Sequence, residues 1–199
     1  MFLRVPGRPL SRSFYARDTA RVARDLLGCV LETRVRGVLT AGRIVEVEAY
    51  VGHHDPAAHG YRNRRTPRND HLFGPPGTAY VYFIYGMHWC FNAVTERDGY
   101  PAAVLVRALE PAVGIDAMRR RRGTEGLRDL CSGPSKLCEA LGITGALNGR
   151  ALDAGRIRIV AGPGPSRQAV RRSPRIGISR AVDWPLRFYL PDSKWVSKG

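Results

Sequence analysis

Acidic residues are scarce in this chain. Against 17 Asp and Glu stand 32 Lys and Arg in 199 residues, a formal net charge of +15. A surplus this large opposes compaction through self-repulsion and points to a polyanionic partner. Nucleic acid comes before an anionic membrane surface, because a strong basic amphipathic helix and a lipidation signal are both missing. Base composition of the genome is the bland alternative for a chain with 14 Pro and this much Arg. Cysteine is also sparse: Cys29, Cys90, Cys131 and Cys138 have neither CxxC spacing nor the density of a disulfide scaffold. They are expected as ordinary core thiols in a reducing cytoplasm or nucleoid. The opening "MFLRVPGRPLSRSFYARD" lacks the apolar core of a signal peptide. The longest uncharged run, "TAYVYFIYGMHWCFN" over 78–92, is interrupted by Tyr, Gly, His and Asn and is short for a membrane span.

Cofactor signatures are missing too. His53, His54, Asp55 and His59 cluster, but without HExxH, a nearby Cys or a spaced second ligand pair, so no metal is expected. "GPPG" and "GPGPS" lack the GK[ST] ending of a phosphate loop, so no cofactor is expected at either. No repeat or Gly/Ser linker divides the chain. One domain over residues 1–199 is expected, with 1–12 a loosely ordered N-terminal segment.

What is present reads as strands in hairpin order. "DTARVARDLLG" (18–28) is an N-capped amphipathic helix stopped by Gly28. "CVLETRV" and "LTAGRIVEVEAYV" pair around Arg36-Gly37, and residues 53–77 form a long ordered loop of the kind that is usually functional. "TAYVYFIYG", "HWCFNAVTE" and "AAVLVRALE" are three further strands. Glu110-Pro111 is expected to open a helix running to about Arg122, and "SGPSKLCEALG" (132–142) another with Pro134 in its first turn. "RIRIV", "PRIGIS" and "LRFYL" are again strand-like. This pattern predicts an α+β domain around an antiparallel sheet.

Period-2 alternation puts Ile44, Glu46, Glu48 and Tyr50 on one strand face, with Val45, Val47 and Ala49 on the other. Such a face is either solvated or a rigid mount for a general base. The Glu46/Glu48 spacing also fits an acid/base pair for sugar hydrolysis, although neutral sugars gain nothing from a field of this sign. The same alternation separates Tyr80, Tyr82 and Ile84 from Val81, Phe83 and Tyr85. Tyr85 precedes Gly86, where the chain must turn. A flat aromatic at a hairpin tip of a basic protein is either ordinary core or a wedge for a duplex from which a base has been rotated out. Free N–H groups and Lys136 at "SGPSK" form a candidate anion seat. Arg119–Arg122 either complement a helix dipole or touch phosphates.

The segments "DLLG", "GRIVEVEAYVGHHDPAAH", "RTPRN", "PPGTAYVYFIYGMHWCFN", "VLVRALEP", "LCSGPSKLCEAL" and "PLRFY…WVS" together resemble the alkyladenine (3-methyladenine, methylpurine) DNA glycosylase family, in its order and over about residues 13–196. The resemblance implies a single α+β domain: a curved antiparallel sheet flanked by helices, with a protruding β-hairpin. It implies an enzyme that excises alkylated or deaminated purines from double-stranded DNA, without cofactor or membrane. No lysine is placed as an obvious Schiff-base nucleophile, so a monofunctional enzyme is expected. With one pocket per lesion and no coiled coil or obvious apolar interface, a monomer is expected. Position by position, the resemblance makes Glu48 the base that activates water and Arg107 a residue that helps hold that water. Tyr50 and His59 flank the flipped base and Tyr82 stacks on it. Asn92 opposes the 2-amino group of guanine, the backbone at Ile176 meets the water, and Tyr85 enters the minor groove. Arg62, Arg64, Arg65, Arg68, Ser135 and Lys136 are candidate backbone contacts, with the 119–122 run beside them. His88 and Trp89 depart from the mammalian forms at the expected pocket floor, and the long N-terminal extension of those forms is not in this sequence. A non-catalytic DNA- or RNA-binding module of the same fold is the rival. The helix-hairpin-helix repair architecture is disfavoured, since no pair of helices joined by a glycine hairpin precedes a catalytic aspartate.

Overall fold

The computed structural model describes residues 7–162 and 170–197. Strands β1 (Val30–Val35) and β2 (Val38–Tyr50) form a hairpin at Arg36-Gly37, where φ is positive at both residues. After the long loop come β3 (Ala79–Ile84), β4 (His88–Thr95) and β5 (Ala102–Val113), each antiparallel to the one before. The last strands are β6 (Ile157–Val160), β7 (Arg171–Ser173) and β8 (Arg187–Tyr189). They join one curled antiparallel sheet in the order β3-β4-β5-β2-β1-β6, with β8 pairing both β2 and β7. The fold is therefore the α+β single domain expected.

Two short helices precede the sheet, α1 (Arg12–Tyr15) and α2 (Thr19–Leu26), and two follow β5, α3 (Ile115–Arg122) and α4 (Pro134–Leu141). Asp18 caps α2 by accepting from the Arg21 N–H at 2.8 Å. Val22 and Leu26 then turn inward, onto a core that gathers Val45, Val47 and Ala49 of β2, Phe91 of β4, and Val104 and Val106 of β5. From α4, Leu137 and Leu141 close the same core. The opposite face of the sheet is covered by the long loop, through Leu72 and Phe73 against Tyr80. A second cavity-forming layer is thus built on the face that carries the polar residues.

Three expectations are corrected. Glu110-Pro111 does not open a helix: β5 continues to Val113, and α3 starts only at Ile115. Pro111 lies opposite Gly42 beside a register shift, where a strand tolerates a missing N–H. The Arg43–Glu110 ion pair ties the two strands at the preceding pair. Gly114, with φ +75°, makes the break; a Cβ there would stand 2.4 Å from the Leu39 carbonyl oxygen. "PRIGIS" is an irregular loop rather than a strand, since ladder pairing ends at Ser173. The alternation along β2 fails at Ile44, which joins Val45 in the core. Val45 is an extra residue between the Ile44–Leu109 and Glu46–Ala108 pairs, so the strand turns one step early.

Of the N-terminal segment over 1–12, residues 1–6 lie outside the described residues; Pro9 bridges Val160, and the Leu10 N–H donates to the Ile159 carbonyl. Of "GPGPS" only Gly162 is described. No helix among the described residues is long and apolar enough to cross a membrane.

Candidate active site

Glu48 sits near the end of β2 with no solvent exposure, held by two hydrogen bonds and an ion pair. The Ile176 N–H donates to Oε1 at 2.7 Å, the Tyr50 hydroxyl to Oε2 at 3.0 Å, and Arg107 Nη1 stands 3.2 Å from Oε1. Arg107 reaches it because β5 is bulged there. The residue falls between the Glu46–Ala108 and Val47–Val106 pairs with no partner of its own, and bulges re-aim side chains in this way. Its Nε donates to Glu46 Oε1 at 3.2 Å, so one guanidinium bridges both carboxylates.

The two glutamates nevertheless differ. Glu46 also accepts from Arg187 Nε at 2.7 Å, the Ser197 N–H at 2.7 Å and the Ser197 hydroxyl at 2.9 Å. Cross-linked by strand β8 and the C-terminal residues, it is a structural counterion. Its filled oxygens leave no free second carboxylate, which removes the two-carboxylate hydrolase reading. The solvated-face reading falls for the same reason, since both carboxylates are fully buried.

Tyr50, Arg107 and Ile176, the three residues that hold Glu48, line a cleft of about 500 Å³ whose wall is aromatic. Tyr50, Tyr80, Tyr82, His59 and Asn92 all line it. The His59 and Tyr82 rings meet edge to face at 4.5 Å, and His59 Nδ1 lies 2.8 Å from the Tyr80 hydroxyl. Burial, and behind it the Arg68 charge, lower the His59 pKa, so the ring is neutral at physiological pH. Burial first and the Glu48 charge second push the Tyr50 phenol far above its ordinary range, and burial does the same to Tyr82. Both phenols therefore remain donors. Asn92 is fixed by Nδ2 donating to the Tyr80 carbonyl at 3.1 Å. The opposite wall is the loop after β7, from Ile176 to Arg180.

At the mouth, β3 and β4 leave the body as a hairpin. The edge of β3 is covered by the 148–150 segment only as far as Val81, whose N–H donates to Asn148 Oδ1. The tip residue Tyr85 is 78% exposed with φ +55°, and Gly86 follows with φ +68°. Positive φ at both positions gives the tight reversal of a type I′ turn, which a bulky side chain adopts only under constraint. Tyr85 is thus not core. His88, exposed, lines the mouth of the cleft. Trp89 corrects the expectation of a pocket-floor residue: it packs on Phe83 at 4.7 Å, and its ring lies 2.8 Å from where a Cβ on Gly145 would be.

The candidate backbone contacts divide. Arg65 is paired with Asp70, Arg62 lies over the Tyr61 ring, and Arg68 Nη2 donates to the Phe83 carbonyl at 2.7 Å, bracing the hairpin. Arg64 is exposed and makes no side-chain hydrogen bond or ion pair among the described residues. Ser135 reaches the cleft from the first turn of α4, while Lys136 faces Asp129 at 3.5 Å. Within the 119–122 run only Arg120 lacks an internal partner among the described residues. Arg119 pairs with Asp116 and Glu125, Arg121 donates to the Ala140 carbonyl, and Arg122 binds Glu139. Two of the four, Arg121 and Arg122, therefore join α3 to α4. Sequence reasoning missed Arg175, which forks onto Asp55 at 2.5 and 2.9 Å, as well as Arg187 and Ser197. Their partners lie more than a hundred residues away, and no local spacing announces them.

The chain matches the family model described as Methylpurine-DNA glycosylase over residues 13–194. Relatives named "Putative 3-methyladenine DNA glycosylase" include one from Methanoculleus marisnigri, 53% identical over 192 residues, covering 95% of this chain and 98% of the relative. Another, from Carboxydothermus hydrogenoformans, is 50% identical over 190 residues with the same coverage of each chain. A third, from Rhodopseudomonas palustris strain BisB18, is 51% identical over 210 residues, 98% of this chain and 96% of its own.

Proposed function

Because the chain belongs to the methylpurine-DNA glycosylase family, we propose that it is a monofunctional enzyme of base excision repair that flips damaged purines out of duplex DNA and hydrolyses their glycosidic bond. The observation that carries this is a fully buried glutamate whose three holding residues, Tyr50, Arg107 and Ile176, all line an aromatic cleft beside a projecting tyrosine. A purine rotated out of the stack would enter between Tyr50 and the Tyr82–His59 pair, and Tyr85 would fill the space it leaves. A water held between Glu48 and the sugar attacks C1′. As the C1′–O bond forms, the C1′–N9 bond breaks, its electron pair leaves with the purine, and a water proton passes to Glu48. Arg107, with Nη1 3.2 Å from Oε1, orients that carboxylate. An alkylated purine carries its own positive charge and departs as a neutral base; a neutral lesion such as hypoxanthine needs protonation, at N7, from a water or polar contact.

Among the described residues no lysine lines the cleft, which supports a hydrolytic route without a Schiff base. One pocket serves one lesion, so the whole chain acts as a single-domain monomer, in the cytoplasm or on the nucleoid. Exposed arginines such as Arg64 supply phosphate contacts.

The test is base release from a duplex carrying one hypoxanthine and from methylated DNA, for wild type and Glu48→Gln. Release by wild type and its near-loss in the variant are expected. Lesion binding without release from either substrate would instead make the protein a damage-binding module.

A further inference from the structure

The Asp55–Arg175 pair has no part in the chemistry above, yet both side chains are fully buried. The guanidinium forks onto both carboxylate oxygens, its Nη1 also donates to the Ala49 carbonyl at 3.0 Å, and its Cζ lies 4.7 Å from the centroid of the Tyr50 ring. Asp55 accepts in addition from the Val51 N–H at 3.2 Å and the Ala57 N–H at 3.0 Å. One ion pair thus joins the end of β2, the loop that follows it, and the loop after β7.

As a stabiliser such a pair is weak, because desolvation offsets much of the attraction. Its placement is what matters. Arg175 immediately precedes Ile176, whose N–H donates to Glu48 Oε1. The Tyr50 ring beneath the guanidinium donates its hydroxyl to Glu48 Oε2. Both hydrogen-bond donors on Glu48 are therefore held in place by groups attached to the pair. Its ion-pair partner, Arg107, is fixed independently by Glu46. We infer that Asp55 and Arg175 are a positioning pair that sets the orientation and basicity of Glu48.

The other charged or titratable groups around Glu48 are accounted for. Arg107 approaches from β5, Arg187 stands opposite Glu48 on β8, and Glu46 on β2 binds both arginines. On β4, the Cys90 thiol, neutral through burial, senses the Glu48 charge. None of these touches Asp55 or Arg175, so a change made at the pair reaches Glu48 through Ile176 and Tyr50.

The inference rests on Glu48 as the base, and its test has one arm that needs no activity. The Glu48 carboxyl is titrated by 13C NMR, identified by its loss in Glu48→Gln, in wild type and in Arg175→Lys and Asp55→Glu, which keep the charges of the pair and change its geometry. The midpoint should move up by roughly one to two pH units, the worth of one hydrogen bond to a charged group. If Arg175→Lys does not fold, Asp55→Glu, which keeps the charge, carries the measurement. In the second arm, single-turnover base release should fall about a hundredfold, with the acid limb of its pH profile moving up in parallel. A folded variant with an unchanged Glu48 midpoint overturns the pair's role. A wild type that releases no base, while the midpoint still shifts in the variants, overturns the proposed function and leaves the positioning pair standing.

Discussion

Tyr85 offers a substitution in which stability and activity should move apart. The residue is 78% exposed, so removing its ring forfeits almost no packing. Its φ of +55° costs the folded state about 1–2 kcal/mol for a non-glycine residue. Asparagine tolerates that region far better, so Tyr85→Asn should leave the fold as stable as before or stabilise it by up to about 1 kcal/mol, roughly 2–4 °C for a chain of this size. Activity should go the other way. An aromatic stacked in a duplex is worth about 1–3 kcal/mol, so losing it should slow single-turnover release from a duplex by roughly 5- to 150-fold. Tyr85→Phe keeps the flat ring and should stay near wild type. The same lesion in a single strand needs no wedge, and there Tyr85→Asn should match wild type. Equal release from the duplex by the asparagine variant would refute the wedge. So would a defect that persists undiminished on the single strand, since it would place the damage in the pocket.

Other consequences follow from the buried charges. Glu46→Gln leaves Arg107 and Arg187 short of their counterion and should cost about 3–5 kcal/mol in denaturant unfolding, with release falling because Arg107 loses its anchor. Tyr50→Phe keeps the ring under Arg175 but takes a donor from Glu48; the acid limb of the rate–pH profile should rise while lesion binding changes little. The pKa of His59 is lowered by burial, so between that value and the unfolded one, about 6.5, the unfolded chain binds more protons. Stability from this group is therefore full above about pH 6.5 and falls on acidification until the folded value is passed. His59→Gln should flatten that part of the unfolding-midpoint curve relative to wild type. Arg64→Ala should weaken binding to damaged and undamaged duplex alike and reduce the slope of log K against log salt by about 0.9.

The difference between Glu46 and Glu48 explains why the site was only partly legible in the sequence. Alternation put both on one face, and that face does exist: Arg107 touches both. Alternation contains nothing about what covers a face. Burial of Glu46 comes from Arg187 and Ser197, which lie 141 and 151 residues further on, and that of Glu48 from Ile176, 128 residues on. Local chemistry was readable wherever it is local: the Asp18 cap, the Arg36-Gly37 turn and the Tyr85-Gly86 reversal each need only their neighbours. Bulges were not, because an extra residue in a ladder is defined by the partner strand. The bulge at Val45 took Ile44 out of the polar face, and the one at Arg107 turned a strand arginine into the bridge between two carboxylates. Resemblance to a family supplied the residue names at the cleft, but not the Asp55–Arg175 pair beneath them, whose members show nothing until the chain has closed. The residues proposed to touch a substrate are thus the easier half to read. What sets Glu48, the proposed base, apart from the counterion Glu46 comes from distant segments, and only the folded geometry separates the two.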